Sequence, residues 1–325
     1  MLEDRLTPRL ALALALAMLA MLVLSPGASA DANAGEMLMY MPYGLIHSLH
    51  SAPEVDEYLT EVNSYDIGQV VFAMPKFKPT GLLKVPKHNQ EMLALWASQA
   101  AALDAEQGDE LAVTVVFNGK VKTNKHGLDL EDPATRANIV AAVESSLGMG
   151  ISGVQLDLEP YPVTPGFITL LEELDATFAR TGFHGRFSVT APATISQWAP
   201  AYLKQVSQLV TQIDPLYYDS ESKTVAAYQQ WVERSLAYYS ANVSPGTRIV
   251  PILPSYSADP WHIPAVENIT TATNALSTAL AAGSRVNGAG IWSGWGFLMN
   301  EEGGYDASAD RADGLSTTLG LPFSP

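Results

Sequence analysis

The sequence predicts an α/β protein built as a single (β/α)8 TIM barrel without a large inserted subdomain. Three observations lead there. Short apolar stretches with strand-like patterning recur eight times, amphipathic helical stretches lie between them, and no low-complexity linker or change of composition divides the chain. Eight alternations in roughly 290 residues fit a closed barrel better than an open doubly wound sheet. No glycine-rich phosphate-binding turn follows any of the strands, which removes the commonest reason for a dinucleotide-binding fold.

Taken in order, strands are expected at Met37–Tyr43, Ile67–Met74, Leu111–Phe117, Gly153–Leu158, Arg186–Ala191, Gln212–Tyr217, Arg248–Leu253 and Gly288–Trp292. Asp132-Pro133 supplies an N-cap and a first-turn proline for a helix running to Leu147 and closed by Gly148. Phe167, Leu170, Leu171, Leu174 and Phe178 form a helical stripe ended by Gly182. Ser222–Ala241 and Asn268–Ala282 read as helices too. About 30 residues separate the seventh and eighth strands, and most are needed for a helix, so no subdomain fits there.

Residues 1–30 read as a secretory signal peptide rather than as part of the fold. Arg5 and Arg9 are its basic region, Leu10–Leu24 its apolar core, and Ala28-Ser29-Ala30 its cleavage site before Asp31. The barrel domain is then 31–325, a secreted, extracellular or periplasmic protein with no membrane attachment after cleavage. It has no cysteine, which excludes disulfides, thiolate metal sites and cysteine nucleophiles. The net charge of −16 is unchanged by cleavage, because Glu3 and Asp4 balance Arg5 and Arg9. That sign disfavours nucleic acid, anionic lipid and polyanionic polysaccharide, and it suits a neutral substrate. A monomer is expected, with no cofactor and no metal: the histidines show no metal-ligand spacing, and no G-x-S-x-G elbow is present.

The chemistry concentrates in Gly153-Val154-Gln155-Leu156-Asp157-Leu158-Glu159-Pro160. Period-two alternation puts Gln155, Asp157 and Glu159 on one face of the fourth strand, and Pro160 ends it. Two carboxylates on adjacent same-face positions raise each other's pKa, which is what a general acid near neutral pH requires. In a barrel the C-terminal strand ends carry the active site, so the pair stands where chemistry is done. Many barrel glycosidases place a nucleophilic carboxylate at the end of the seventh strand. Here that strand ends Leu253-Pro254-Ser255-Tyr256-Ser257, with no acid before Asp259.

These motifs resemble the family 18 glycoside hydrolases, the chitinases and endo-β-N-acetylglucosaminidases. Their fourth strand reads D-G-x-D-x-D-x-E; here Gly153, Asp157 and Glu159 match, while Ser152 and Gln155 replace the first two acids. Phe72-Ala73, Phe187–Ala193, Leu216-Tyr217-Tyr218-Asp219, Arg248–Tyr256 and Gly290-Ile291-Trp292 resemble the second, fifth, sixth, seventh and eighth strands in order. In the third, Phe117-Asn118-Gly119 keeps one glycine where the family often has two. The resemblance implies an oligosaccharide or polysaccharide substrate containing β-linked N-acetylglucosamine. It implies Glu159 as general acid, Asp157 and Tyr218 on the 2-acetamido group whose carbonyl attacks the anomeric carbon, and Trp292 stacked under the sugar. Gln155 cannot take a proton from Asp157, so Asp157 is expected to ionise more readily than in the family.

Gln155, Asp219, Tyr40 and Tyr256 complete the expected substrate-binding set, Asp219 with a competing role as N-cap of the helix near Ser222. Tyr43, Tyr161, Trp198, Trp261 and Trp295 are further strand-end aromatics, whereas Trp96 and Trp231 lie in helical patterns and read as core. Two other functions remain open: an inactive barrel that binds glycans as a lectin does, and a glycosidase of another family using Asp219 as its second carboxylate.

Overall fold

Every expected strand is present, and together they close on themselves. The computed structural model describes residues 36–46, 48–49, 51–84, 86–107, 111–122, 126–257, 261–299, 307–308, 310–314, 318 and 320–323. The signal peptide read at residues 1–30 lies outside these, as do His47, His50 and Asp259. The strands are β1 (Glu36–Met41), β2 (Gln69–Ala73), β3 (Ala112–Lys120), β4 (Gly153–Glu159), β5 (Arg186–Pro192), β6 (Gln212–Leu216), β7 in two pieces (Arg248–Ile249 and Ile252–Pro254) and β8 (Gly288–Trp292). Each pairs in parallel with the next, and β8 pairs with β1, which closes the barrel. The break in β7 falls at Val250-Pro251, where proline offers no N–H to the ladder.

Helices α1 (Ala52–Asn63), α2 (Pro86–Gln107), α3 (Pro133–Glu144), α4 (Pro165–Thr181), α5 (Pro200–Ser207), α6 (Val225–Asn242), α7 (Ile269–Ala281) and α8 (Gly294–Met299) follow the strands. Their ends obey local chemistry. Asp132 caps α3 by accepting from the Ala134 and Thr135 amides, and Gly182 ends α4 in the left-handed region at φ 71°. α3 stops at Glu144 rather than Leu147, because the Ser145 and Ser146 hydroxyls bond back to the Ala142 and Val143 carbonyls at 2.7 Å each. A short 3-10 turn, Leu147–Met149, follows, and Gly150 closes it in place of Gly148. β3 runs three residues past the expected Phe117 because Lys120 still pairs with Glu159 on β4. Thr224, not Asp219, caps α6.

Two cores result. Between sheet and helices lies an apolar shell that includes Trp96, Phe117, Phe167, Leu174, Val232 and Leu276, all fully buried. Trp231 is half-buried and packs on its edge, against Tyr217 and Tyr228. The barrel interior is unusually polar. At its base Arg186 and Arg248 each bond one oxygen of Glu36, at 2.5 and 2.6 Å, and Arg186 also holds Gln69. Burial pushes the Glu36 carboxyl up, but the two guanidiniums outweigh it and hold the group below the ordinary glutamate range. Higher up, Gly290 leaves space for an aromatic ring: a Cβ there would stand 3.2 Å from the Tyr40 ring and 2.6 Å from Ile252 Cδ1.

Candidate active site

A cleft of about 910 Å³ opens at the C-terminal ends of the strands. Asp157 and Glu159 from β4, Thr190 from β5, Tyr218 and Asp219 after β6, Trp292 from β8 and Tyr40 from β1 line it. These seven come from five strands far apart in sequence, and the barrel alone gathers them. Tyr43, Lys76, Lys84, Asn118 and Lys120 form the wall on the side of β2 and β3.

The acidic pair behaves as one unit. Burial, then the Asp157 charge, then Asp219, push Glu159 up to about 7 against the opposing pull of Lys76. A hydrogen bond from protonated Glu159 to Asp157 works in the same direction. Glu159 faces the open cleft yet stands among aromatic and aliphatic atoms, so its desolvation is partial. Asp157 is half-buried and accepts a 2.7 Å hydrogen bond from Thr190 Oγ1. Burial raises its pKa, only partly countered by Thr190, Lys76 and Glu159. Desolvation therefore decides the direction of the shift from an ordinary aspartate.

Aromatic rings make the remaining surface. Trp292 lies nearly parallel to Tyr218, centroids 6.3 Å and planes 23° apart, and edge-on to Tyr40 at 6.0 Å. Burial, with Tyr161, Asp157, Glu159 and Tyr256 around it, pushes the Tyr218 hydroxyl well above its ordinary pKa. Tyr218 is thus a neutral donor across the working range. The peptide bonds Glu159–Pro160 and Trp292–Ser293 are both cis.

Two expected binding residues stand behind the cleft rather than in it. Gln155 is fully buried one layer below Asp157, because period-two alternation that carries Asp157 to the mouth leaves its predecessor in the interior. Its Nε2 donates to Tyr40 Oη at 2.7 Å and Asp214 Oδ2 at 2.5 Å. Tyr256 is also buried; its hydroxyl donates to Asp219 Oδ1 at 2.5 Å, and its ring lies edge-on to Tyr218 and stacked on His262 at 3.9 Å. Trp198 is buried against Phe167, Tyr161 and Tyr202, which makes it core, and Trp261 is exposed away from the cleft lining. The Trp295 side chain lies outside the described residues.

Asp219 and Glu221 both adopt left-handed backbone, φ 54° and 56°. The turn is anchored by Glu267, which accepts from the Ser220 amide at 3.2 Å and hydroxyl at 2.5 Å and faces His262 Nδ1 at 3.3 Å. Sequence reasoning missed Thr190, Asp214, Glu267 and the three lysines. A signal existed for two: Thr190 and Asp214 share the inward parity of their strands.

No family model and no curated protein matches this sequence. Solved structures do match. A chitinase from Bacteroides thetaiotaomicron superposes with a TM-score of 0.58 at 13% identity, over 88% of this chain and 95% of the other. A family 18 N-acetylglucosaminidase from Paenibacillus barengoltzii gives 0.57 at 13% identity, over 88% and 99%. A xylanase and α-amylase inhibitor protein from Scadoxus multiflorus gives 0.54 at 11% identity, over 80% and 93%. The chain therefore shares the (β/α)8 fold of family 18 chitinases and of proteins similar to them.

Proposed function

We propose that this protein is a secreted glycoside hydrolase that cleaves glycans containing β-linked N-acetylglucosamine, retaining the anomeric configuration through substrate-assisted catalysis. The observation that carries the reading is geometric: Asp157 and Glu159 stand together at the C-terminal end of β4 and line one cleft with Tyr218 and Trp292. Glu159 protonates the glycosidic oxygen as the bond to C1 breaks. The substrate's acetamido carbonyl closes on C1 to give an oxazolinium ion, its N–H held by Asp157 and its oxygen by the Tyr218 hydroxyl. Water then opens the ring, giving its proton to Glu159. β7 ends at Pro254 and Ser255-Tyr256 follow, with no carboxylate among them, consistent with a nucleophile supplied by the substrate. A fluorogenic N-acetylchitobioside is expected to be cleaved and its cellobioside counterpart left intact. Glu159→Gln should lower kcat by about a thousandfold or more while the protein stays folded; wild-type turnover by that variant would sink the assignment.

A binding module without activity is the second reading. What favours it is Gln155, whose amide nitrogen is committed to Tyr40 and Asp214, so that it relays no proton to Asp157. A chitooligosaccharide that raises Tm yet stays whole over days would select it.

A further inference from the structure

The chain carries 34 acidic residues against 18 lysines and arginines, yet one wall of its cleft is basic. Lys76, Lys84 and Lys120 line it. A small hairpin fixes the first two. Phe77 and Leu83 pair as an antiparallel bridge, the Lys78 amide bonds the Leu82 carbonyl at 2.8 Å, and Gly81 turns the chain at φ 79°. Lys76 and Lys84 immediately flank the bridged residues. The hairpin is itself docked: the Phe77 amide donates to Asn118 O at 2.9 Å, and its ring stacks on Phe117 at 5.9 Å and 13°. Lys120 ends β3 in register with Glu159.

None of the three forms an ion pair among the described residues, although the nearby Lys87 and Lys122 pair with Glu91 and Asp129. Lys76 bears on both catalytic carboxyls, whereas Lys84 and Lys120 are not among the groups that shift them. Lys84 and Lys120 thus face the cleft without an ion-pair partner among the described residues. A low-dielectric cleft focuses such local charge, so the field there departs from that of the molecule as a whole.

We infer that the glycan this cleft takes is anionic, with carboxylates carried by the sugars that lie against the wall formed by the Phe77–Leu83 hairpin and the end of β3. The inference rests on the glycosidase reading above and replaces the neutral substrate that net charge suggests. Lys84 and Lys120 would contact the carboxylates, and Asp157 and Glu159 would remain with the acetamido ring.

The test is titration calorimetry of the Glu159→Gln protein with three tetrasaccharides: N-acetylchitotetraose, its O-carboxymethyl derivative and a partly deacetylated, cationic one. The expected order of affinity is carboxymethylated, neutral, cationic, with the first on the order of fivefold tighter than the second at low salt. Added salt should compress the series, and the Lys84→Gln/Lys120→Gln double variant should bring the charged-to-neutral ratio toward one. Tightest binding by the cationic sugar, as the −16 net charge alone would dictate, overturns the inference. So does a ratio that the double variant leaves unchanged. Equal binding of all three overturns it and leaves the glycan reading standing; no binding by any of them removes both.

Discussion

Asp214 on β6 accepts a 2.5 Å hydrogen bond from Gln155 on β4, inside the barrel and beneath the acidic pair. Gln212 donates to its other oxygen at 2.7 Å. Gln155 occupies the place where the family motif has an acid, and the acid at this depth comes from β6 instead. A second carboxyl at 155 would face the first across a hydrogen-bond distance in a site without water access, so glutamine suits the neighbour it has.

Burial drives Asp214 up to about 6, against hydrogen bonds from Gln212, Ser188 and Gln155 that favour the ionised form. An ordinary aspartate titrates near 3.9. The folded protein therefore holds this proton more tightly than the unfolded chain does, and its contribution to stability is lost as pH rises from about 4 to about 6. Asp214→Asn removes that titration. Urea unfolding at about pH 4.5 and 7.5 should show the variant losing less stability with rising pH than the wild type, by about 2 kcal/mol. Parallel pH profiles for the two proteins would contradict this.

Glu159 must be protonated to act as an acid, so kcat/KM on a neutral chitobioside should fall above about pH 7. Lys76 favours the ionised form, and Lys76→Gln should move that limb to higher pH. The lysine is exposed and screened by solvent, so the movement should be a fraction of a unit. A limb moving downward would show that Lys76 does not act on Glu159 through its charge.

Thr190→Val keeps the shape of the β5 side chain and strips Asp157 of its 2.7 Å donor. Loss of one hydrogen bond to a charged group at the site should lower kcat/KM by roughly tenfold. Thr190→Ser should restore most of it, and the alkaline limb should shift in the Val variant alone. Equal activity in both variants would remove Thr190 from the machinery.

Glu267→Ala leaves the Ser220 hydroxyl and amide and His262 without the carboxylate they share in the interior. Loss of that buried partner should destabilise the fold by about 3 kcal/mol, seen as a lower Tm. Glu267→Gln keeps the acceptor for Ser220 and should fall between. A Tm unmoved by the alanine substitution would mean that the turn is held by other contacts.

The scaffold was readable in the sequence, because strand periodicity, caps and proline breaks are local. All eight strands lie within a few residues of their expected limits, and the largest difference, at β3, comes from pairing with β4. Asp157, Glu159, Tyr218 and Trp292 line the cleft, a position that strand-end placement makes legible in the sequence. Gln155 and Tyr256 were placed one layer too high, since parity tells which way a side chain points and not how deep it lies. Asp214 was overlooked as a lone acid in an apolar strand, its meaning set by Gln155, 59 positions away. The lysine wall was hidden by a net charge of the opposite sign.

Asp219 is held in the left-handed region, where an L side chain is disfavoured and glycine is not. Form and chemistry are therefore separable at this position. Asp219→Gly keeps the bend, relieves the backbone and deletes the carboxylate, whereas Asp219→Ala deletes the carboxylate and keeps the steric burden of a Cβ. Comparing the two divides the loop's architectural share from its electrical one, a division that no strand-borne residue of the cleft permits.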